Sequence, residues 1–295
     1  MKKIEQPLHL GLIGQSISHS DSPRLHTRLG HHLGYQVSFD LIDCDPFMLD
    51  SLFTGQNLKS YLGLNVTTPY KERLYHMVDR LTDTAKLIGA VNTLKYEESK
   101  LIGHNTDDVG VTSTLAMLAS LGHTLGSHAV IIGVGPASRS AAYALIQAGV
   151  QSITWIGRNS KRGERCLAWC AKYFPQLRST WVSTEGQLLG PALFKESISH
   201  LISGAPPLMC EDWVRLSETL QAVLGENFGL LTNGIFIDLN YGELRTHGSR
   251  QYCQSRQRAH RDGSDMLIGQ GVASFKWWTG SNVSWQEVYI HLKNT

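Results

Sequence analysis

Cysteine is scarce in these 295 residues: Cys44, Cys166, Cys170, Cys210 and Cys253 are all there are. The number is odd and no two form a CxxC pair, which excludes a disulfide framework and a zinc ribbon. Cys166 and Cys170 stand one helical turn apart. No nearby spacing supplies the further ligands that a metal site needs, so the thiols are expected to be reduced and structural. Net charge is also small, a formal +2 from 27 Lys and Arg against 25 Asp and Glu. That balance gives no reason to expect nucleic acid or a membrane surface as partner. The chain lacks any apolar window of about 20 residues, the length a membrane helix needs. It also lacks an apolar signal core after Met1-Lys2-Lys3-Ile4. These absences predict a cytoplasmic protein, and leave monomer and homodimer both open. What is present is ordinary for a globular chain, 42% hydrophobic and 18% charged residues. The length suits two domains and can bury a large core.

Apolar runs and turn residues alternate in a β/α rhythm. Leu8 to Ile13, Tyr35 to Ile42 and Gly63 to Val66 read as strands. Ser22-Pro23 reads as the cap and first turn of a helix running toward Gly34. Thr67-Thr68-Pro69-Tyr70-Lys71 is a loop entering a helix near Glu72 to Met77. Thr82 and Asp83 can cap another, ending at Gly89. Ala90 to Lys95 and Lys100 to Gly103 predict a hairpin. A helix after Asn105-Thr106-Asp107 carries Val111, Leu115, Leu118 and Leu121 on one face. Farther on, strands are expected within Ser197 to Ser203 and Leu230 to Leu239, and a helix over Trp213 to Leu224. The basic stretch from Gly242 to Asp262 reads as helix and loop, and Met266 to Trp278 as a helix returning to the first domain. The class is α/β with a mainly parallel sheet. Two domains are expected, 1–104 joined by 264–295, and 105–263.

Ala129 to Ile132 is a wholly apolar strand followed at once by Gly133-Val134-Gly135-Pro136-Ala137 and a helix of small residues. Strand, glycine turn and helix together suit a dinucleotide site, because glycines let a pyrophosphate reach backbone amides at the helix N-terminus; a tight βα turn with no ligand is the plainer alternative. Ser138 takes the third glycine position, and Pro136 withdraws one N–H. After the next strand, where an NAD enzyme would carry Asp or Glu, the chain has Gly157-Arg158-Asn159-Ser160-Lys161-Arg162. Arg158 and Arg162 suit the 2′-phosphate of NADP. A solvated basic loop is the plainer alternative.

Four polar segments interrupt the first domain: His19-Ser20-Asp21-Ser22-Pro23, Asn65-Val66-Thr67-Thr68-Pro69-Tyr70-Lys71, Ala90-Val91-Asn92-Thr93 and Asn105-Thr106-Asp107. Three fall where a strand gives way to a loop, the edge at which open α/β sheets bind ligands. Hydroxyls, amides, a carboxylate and an ammonium suit a substrate bearing several hydroxyls and a carboxylate. Singly, each has a duller role. Ser22 or Asp107 can cap a helix, and Asn92 can serve a turn.

In order along nearly the whole chain, these segments resemble the motifs of the shikimate dehydrogenase family. The likeness extends to Asp238-x-x-Tyr241, Asp262-Gly263-x-x-Met266-Leu267-x-x-Gln270-Gly271 and Phe275-x-x-Trp278-Thr279-Gly280. The resemblance implies an α/β substrate domain and a Rossmann-like NADP domain meeting at a cleft. It implies reversible NADP-linked reduction of 3-dehydroshikimate to shikimate, a step of aromatic amino acid (chorismate) biosynthesis. Carried over by position, Ser20 and Ser22 hold the substrate carboxylate, and Thr67, Asn92 and Gln270 surround the ring hydroxyls beside Lys71 and Asp107. Tyr241 helps at the carboxylate or between the domains, and Gly263 lies near the nicotinamide. Lys71 and Asp107 match the catalytic pair. A proton donor and positive field at the carbonyl oxygen are what hydride transfer requires, and either member can move the proton. The family pattern is broken at Pro136, at Gly157-Arg158-Asn159, at Asp265, and at Ser203-Gly204-Ala205-Pro206-Pro207, which stands for an Asn-x-Thr segment. Quinate as substrate, NAD as cofactor, or a paralogue that binds without turnover are the open alternatives. A dehydrogenase of the methylene-tetrahydrofolate type fits the serine and Asn-Thr-Asp motifs less well.

Overall fold

A computed structural model describes residues 7–54, 56–184, 188–189, 198–224 and 234–293. Ser197 and residues 230–233, within two expected strands, lie outside them. The chain divides into two compact units, Met1–Gly110 with Leu267–Thr295, and Val111–Met266. No described helix is long and apolar enough to cross a membrane.

The first unit contains β1 (Leu8–Gly14), α1 (Ser22–His32), β2 (Val37–Asp43), α2 (Pro46–Thr54), a 3-10 turn (Gln56–Ser60) and β3 (Gly63–Val66). It continues through α3 (Lys71–Tyr75), β4 (Arg80–Leu81), α4 (Asp83–Ile88), β5 (Thr93–Glu97) and β6 (Lys100–His104) into α5 (Asp107–Ser120). Its six strands lie in the order β2-β1-β3-β5-β6-β4. β1 pairs parallel with β2 and β3, whereas β5 is antiparallel to both β3 and β6. Two apolar layers sandwich the sheet. Ile13, Leu64 and Val66 pack with Leu49, Leu74 and Ala85 of α2, α3 and α4. Leu10 packs with Leu25 and Leu29 of α1 and with residues from the C-terminal part of the chain.

Chemistry at the ends explains the short helices. Thr82 Oγ1 accepts from Ala85 N–H, and Gly89 closes α4 at φ 71°, a conformation glycine adopts without cost. Ser22 is not a cap. Asp21 holds that position without a side-chain bond, and Ser22 Oγ accepts from Ser20 Oγ instead. Leu121, expected on a buried face, lies beyond the last turn of α5 and is 53% exposed.

The second unit follows with β7 (His128–Ile132), α6 (Pro136–Gln147), β8 (Ser152–Gly157), α7 (Ser160–Tyr173), β9 (Arg178–Ser183) and β10 (Leu188–Leu189). Then come β11 (Ile198–Ser203), α8 (Cys210–Leu224), β12 (Ile235–Asp238), α9 (Glu243–Ser255) and β13 (Ala259–Arg261). The order is β10-β9-β8-β7-β11-β12-β13, all parallel except β10. Strand order reverses beside β7, the switch point at which doubly wound sheets bind ligands. Trp213, Leu216, Tyr252 and Cys253 from α8 and α9 cover one face. On the other, Trp155 meets Trp169 of α7 edge to face. β13, within the basic stretch read as helix and loop, extends the sheet through Ala259, His260 and Arg261, so no apolar period announced it. The five thiols are free.

α10 (Ser264–Thr279) and α11 (Trp285–Lys293) end the chain, and Ile268, Val272, Phe275 and Trp278 join the Leu10 layer. Trp278 Nε1 donates to the Leu94 carbonyl (3.0 Å) and its ring rests on the bare Cα of Gly63. A Cβ at Gly63 would collide with that ring, so Gly63→Ala should cost about 1–3 kcal/mol by overpacking. Urea unfolding of the two proteins measures it, and equal midpoints would contradict the contact.

His26 of α1 is fully buried against Phe39, Phe275 and Trp278, and its Nε2 faces Asn65 Oδ1 at 3.0 Å. Burial outweighs that hydrogen bond and lowers its pKa from 6.5 to about 4. The unfolded chain takes up this proton near 6.5 and the folded one only near 4. Stability contributed above 6.5 is therefore lost as pH falls through that window, by at most about 1.4 kcal/mol per pH unit. The Cε1 proton of His26 should not titrate in NMR spectra above pH 5, whereas a midpoint near 6.5 would refute its desolvation.

Candidate active site

Strand direction gathers the polar segments. β1 and β3 end on the same edge of the first sheet, at Gly14 and Val66. Antiparallel β5 begins there, because Asn65 pairs with Thr93, and β6 returns to it, because Thr93 pairs with His104. The loop carrying Ser20 and Ser22, the Thr67–Lys71 loop, Asn92 and Asn105-Thr106-Asp107 thus share one rim. Backbone bonds tie these loops together. Thr67 N–H donates to Ile13 O (2.9 Å), Gln15 N–H to Thr68 O (3.2 Å), Val91 N–H to Lys71 O (2.9 Å) and Asn92 N–H to His104 O (3.0 Å). Asp43 accepts from the N–H groups of Ser16 and Ile17, pinning the serine loop. Tyr70 donates its hydroxyl to Cys44 O (2.6 Å) beside the cis Thr68–Pro69 bond.

At this rim Lys71 Nζ donates to Asp107 Oδ2 at 2.5 Å, with side chains 16% and 5% exposed. A buried carboxylate needs its second oxygen satisfied as well. Asn92 Nδ2 donates to Asp107 Oδ1 (2.8 Å) and lies 3.5 Å from Gln270 Oε1 on α10. Lys71, Asn92, Asp107 and Gln270 therefore form one cluster, drawn from α3, the start of β5, α5 and α10. Ser20 and Ser22 bond each other, 3.1 Å apart, on the loop after β1. Thr67 stands on the neighbouring loop, its Cγ2 against the bare Cα of Gly14. Asp108, beside Asp107 in α5, has its pKa raised to about 6, mainly by burial.

Behind the cluster lies a buried polar layer to which the sequence alone assigns no role: Asn65, Thr93, Thr106 and Ser274. Asn92 Oδ1 accepts from Thr106 N–H (2.8 Å) and Thr93 Oγ1 (2.8 Å). The first three residues belong to the polar segments of the first domain. Ser274, one hydroxyl on a largely apolar helix, gave no signal.

The remaining candidates belong to the second unit. Gly133 follows β7 at φ 106°, and a Cβ there would come within 2.8 Å of Ser138 Oγ and 3.0 Å of Gly204 C. Gly135 caps α6, and a Cβ added to it would meet nothing within 4 Å, so its backbone is open to a ligand. Pro136 and Ala137 form the first turn of α6 behind it. Arg158 and Arg162 are exposed at the end of β8 and the start of α7, where Asn159 caps the helix by accepting from Arg162 N–H. A glycine turn with an open amide face, followed by two exposed guanidinium groups and no acidic residue on the next strand end, fits a dinucleotide carrying a 2′-phosphate. Gly204 packs its backbone against Ser138 Oγ, so the Ser203–Pro207 segment closes over the turn. Tyr241 and Gly263 sit on the loops after β12 and β13. Gly263 N–H donates to Asn240 O (2.8 Å), and a Cβ would strike Leu239 O.

The shikimate dehydrogenase substrate binding domain matches residues 12–94, and the shikimate 5′-dehydrogenase C-terminal domain matches 263–284. The shikimate dehydrogenase (NADP(+)) of Symbiobacterium thermophilum is 32% identical over 92% of this chain and 88% of its own length. That of Desulforamulus reducens is 31% identical over 92% and 89%. The crystal structure of the Thermus thermophilus shikimate 5-dehydrogenase in complex with NADP(H) and shikimate superposes with a TM-score of 0.72 at 26% identity, covering 95% of this chain and 96% of that one. This chain belongs to the shikimate dehydrogenase family.

Proposed function

We propose that the protein is a shikimate dehydrogenase, interconverting 3-dehydroshikimate and shikimate with NADP within aromatic amino acid biosynthesis. The single observation that carries the reading is the Lys71–Asp107 pair, 2.5 Å apart on a rim of hydroxyl and amide side chains. Residues 1–104 with 264–295 serve as the substrate domain and 105–263 as the cofactor domain. The cytoplasm, which keeps thiols reduced, suits five free cysteines. Monomer and homodimer are both compatible with a substrate cluster built within one chain.

NADPH, when bound, supplies the hydride to the ring carbonyl carbon. The carbonyl oxygen then gains charge and must take a proton. Lys71 Nζ offers both a proton and a positive field. Asp107, held by Asn92 on its other oxygen, keeps that ammonium aimed. In the oxidative direction the hydroxyl proton returns to the pair, and either member can receive it. Ser20 and Ser22 hold the carboxylate with help from Tyr241. Thr67, Asn92 and Gln270 read the ring hydroxyls. Gly133, Gly135, Pro136 and Ala137 cradle the pyrophosphate, Arg158 and Arg162 take the 2′-phosphate, and Gly263 leaves room near the nicotinamide.

Shikimate and NADP⁺ together should raise the nicotinamide absorbance band, with kcat/KM higher than for quinate or for NAD⁺. Lys71→Ala should lower kcat by about 10² to 10⁴ while the fold is retained, the usual contribution of a general acid. A parent protein that leaves NADP⁺ unreduced, or a variant with near-normal kcat, would overturn the assignment.

A further inference from the structure

Ser274 projects from α10 into the polar layer behind Asp107 and is fully buried. Four polar atoms converge on its hydroxyl: Asn65 Nδ2 (3.0 Å), Thr93 Oγ1 (2.9 Å), Thr106 Oγ1 (3.1 Å) and the Gln270 carbonyl (3.0 Å). One hydroxyl has one proton and two lone pairs, so the directions can be worked out.

Asn65 can only donate through Nδ2, and its orientation is set from the far side. His26 Nδ1 is buried without a partner while Nε2 meets Asn65 Oδ1, so the neutral ring carries its proton on Nε2 and donates it. Asn65 Nδ2 therefore fills one lone pair of Ser274. The Ser274 proton goes to Gln270 O or to Thr93 Oγ1. Thr93 in turn donates to Asn92 Oδ1 (2.8 Å). That oxygen already accepts from Thr106 N–H (2.8 Å), so both its lone pairs are taken. The Thr106 hydroxyl, 3.3 Å from the same oxygen, is left to donate to Ser274 and to accept from Asn92 Nδ2 (3.0 Å). The remaining Asn92 Nδ2 proton points at Asp107 Oδ1. Every route through Ser274 ends by turning the Asn92 amide one way, NH₂ toward the carboxylate.

We propose that Ser274 is a positioning residue of the reaction: its hydroxyl completes a buried hydrogen-bond chain, through Thr106 and Asn92, that holds Asp107 in place for Lys71. The inference rests on the dehydrogenase reading and deepens it. Without the Ser274 oxygen, the Thr106 proton is left with the saturated Asn92 oxygen (3.3 Å) and a longer contact to Thr93 Oγ1 (3.4 Å). The Asn92 amide then loosens, because linked hydrogen bonds polarise one another and fail together. Other charged groups at Asp107 are Lys71 from α3 and Asp108 on its own helix, and substitution of Ser274 or Thr106 changes neither.

Ser274→Ala tests this, since alanine is the stronger helix former and removes only the hydroxyl. The expected result is a kcat about tenfold lower and a shikimate KM within about threefold of the parent. Ser274→Thr, which restores the oxygen, should recover most of the loss. Thr106→Val should reproduce the defect, and the double variant should be no worse than either single one, because both cut the same link. In the ligand-free protein, side-chain amide exchange of Asn92 in NMR spectra should quicken about tenfold in Ser274→Ala. Parent-like kcat and amide exchange in that variant would overturn the proposal. So would additive losses in the double variant. Absence of turnover in the parent would instead count against the dehydrogenase reading, and the amide-exchange measurement would still decide the role of Ser274.

Discussion

A carboxylate with 5% of its side chain exposed sits against an ammonium with 16% exposed, and the candidate site is organised around keeping that pair in place. Removing water from two charges costs several kcal/mol per ion, and their attraction repays it only with good geometry and with the remaining polar atoms satisfied. Asn92 meets the second oxygen of Asp107. Thr93 and Thr106 meet the oxygen of Asn92. Asn65 and Ser274 complete the layer behind them. The antiparallel turn of β5 and β6 makes this possible. Inserted into an otherwise parallel arrangement, it returns Asn105-Thr106-Asp107 to the edge where β1 and β3 end.

The second unit answers a different demand. Its glycine turn sits at the switch point of a nearly all-parallel sheet, with an open backbone at Gly135 and guanidinium groups on the next loop. The departures from the family pattern gather in this unit and at the start of α10. Gly204 presses its backbone onto Ser138, so the turn is shaped by packing against the loop after β11 as well as by its own glycines. The substrate-side motifs, by contrast, are unbroken.

Period and punctuation made most of the architecture legible. Apolar runs closed by Gly marked β1 and β7, and Thr82 with Gly89 bounded α4 as capping chemistry requires. Where local chemistry was read too locally, it failed. Ser22 had the residue type and spacing of a cap, but its hydroxyl is engaged with Ser20. Leu121 continued the helical period one residue past the end of α5. β13 was hidden because Ala259-His260-Arg261 carries no apolar alternation and owes its strand form to pairing with β12. Lys71, Asn92 and Asp107 could be picked out because polar residues at strand ends need a reason, and Gln270 through the family resemblance alone. Ser274 could not, since a serine on an apolar helix acquires meaning only from the four groups that meet it.

Desolvated together and sharing one support, Lys71 and Asp107 should act on the substrate as one unit. A double-mutant cycle on turnover, with Lys71→Ala, Asp107→Ala and both together, tests it most directly. If the pair works as a unit, the double variant will be about as slow as the slower single variant, because removing either partner already disables the other. Independent, multiplicative losses would mean that the ammonium and the carboxylate serve the reaction separately, and would contradict their joint role.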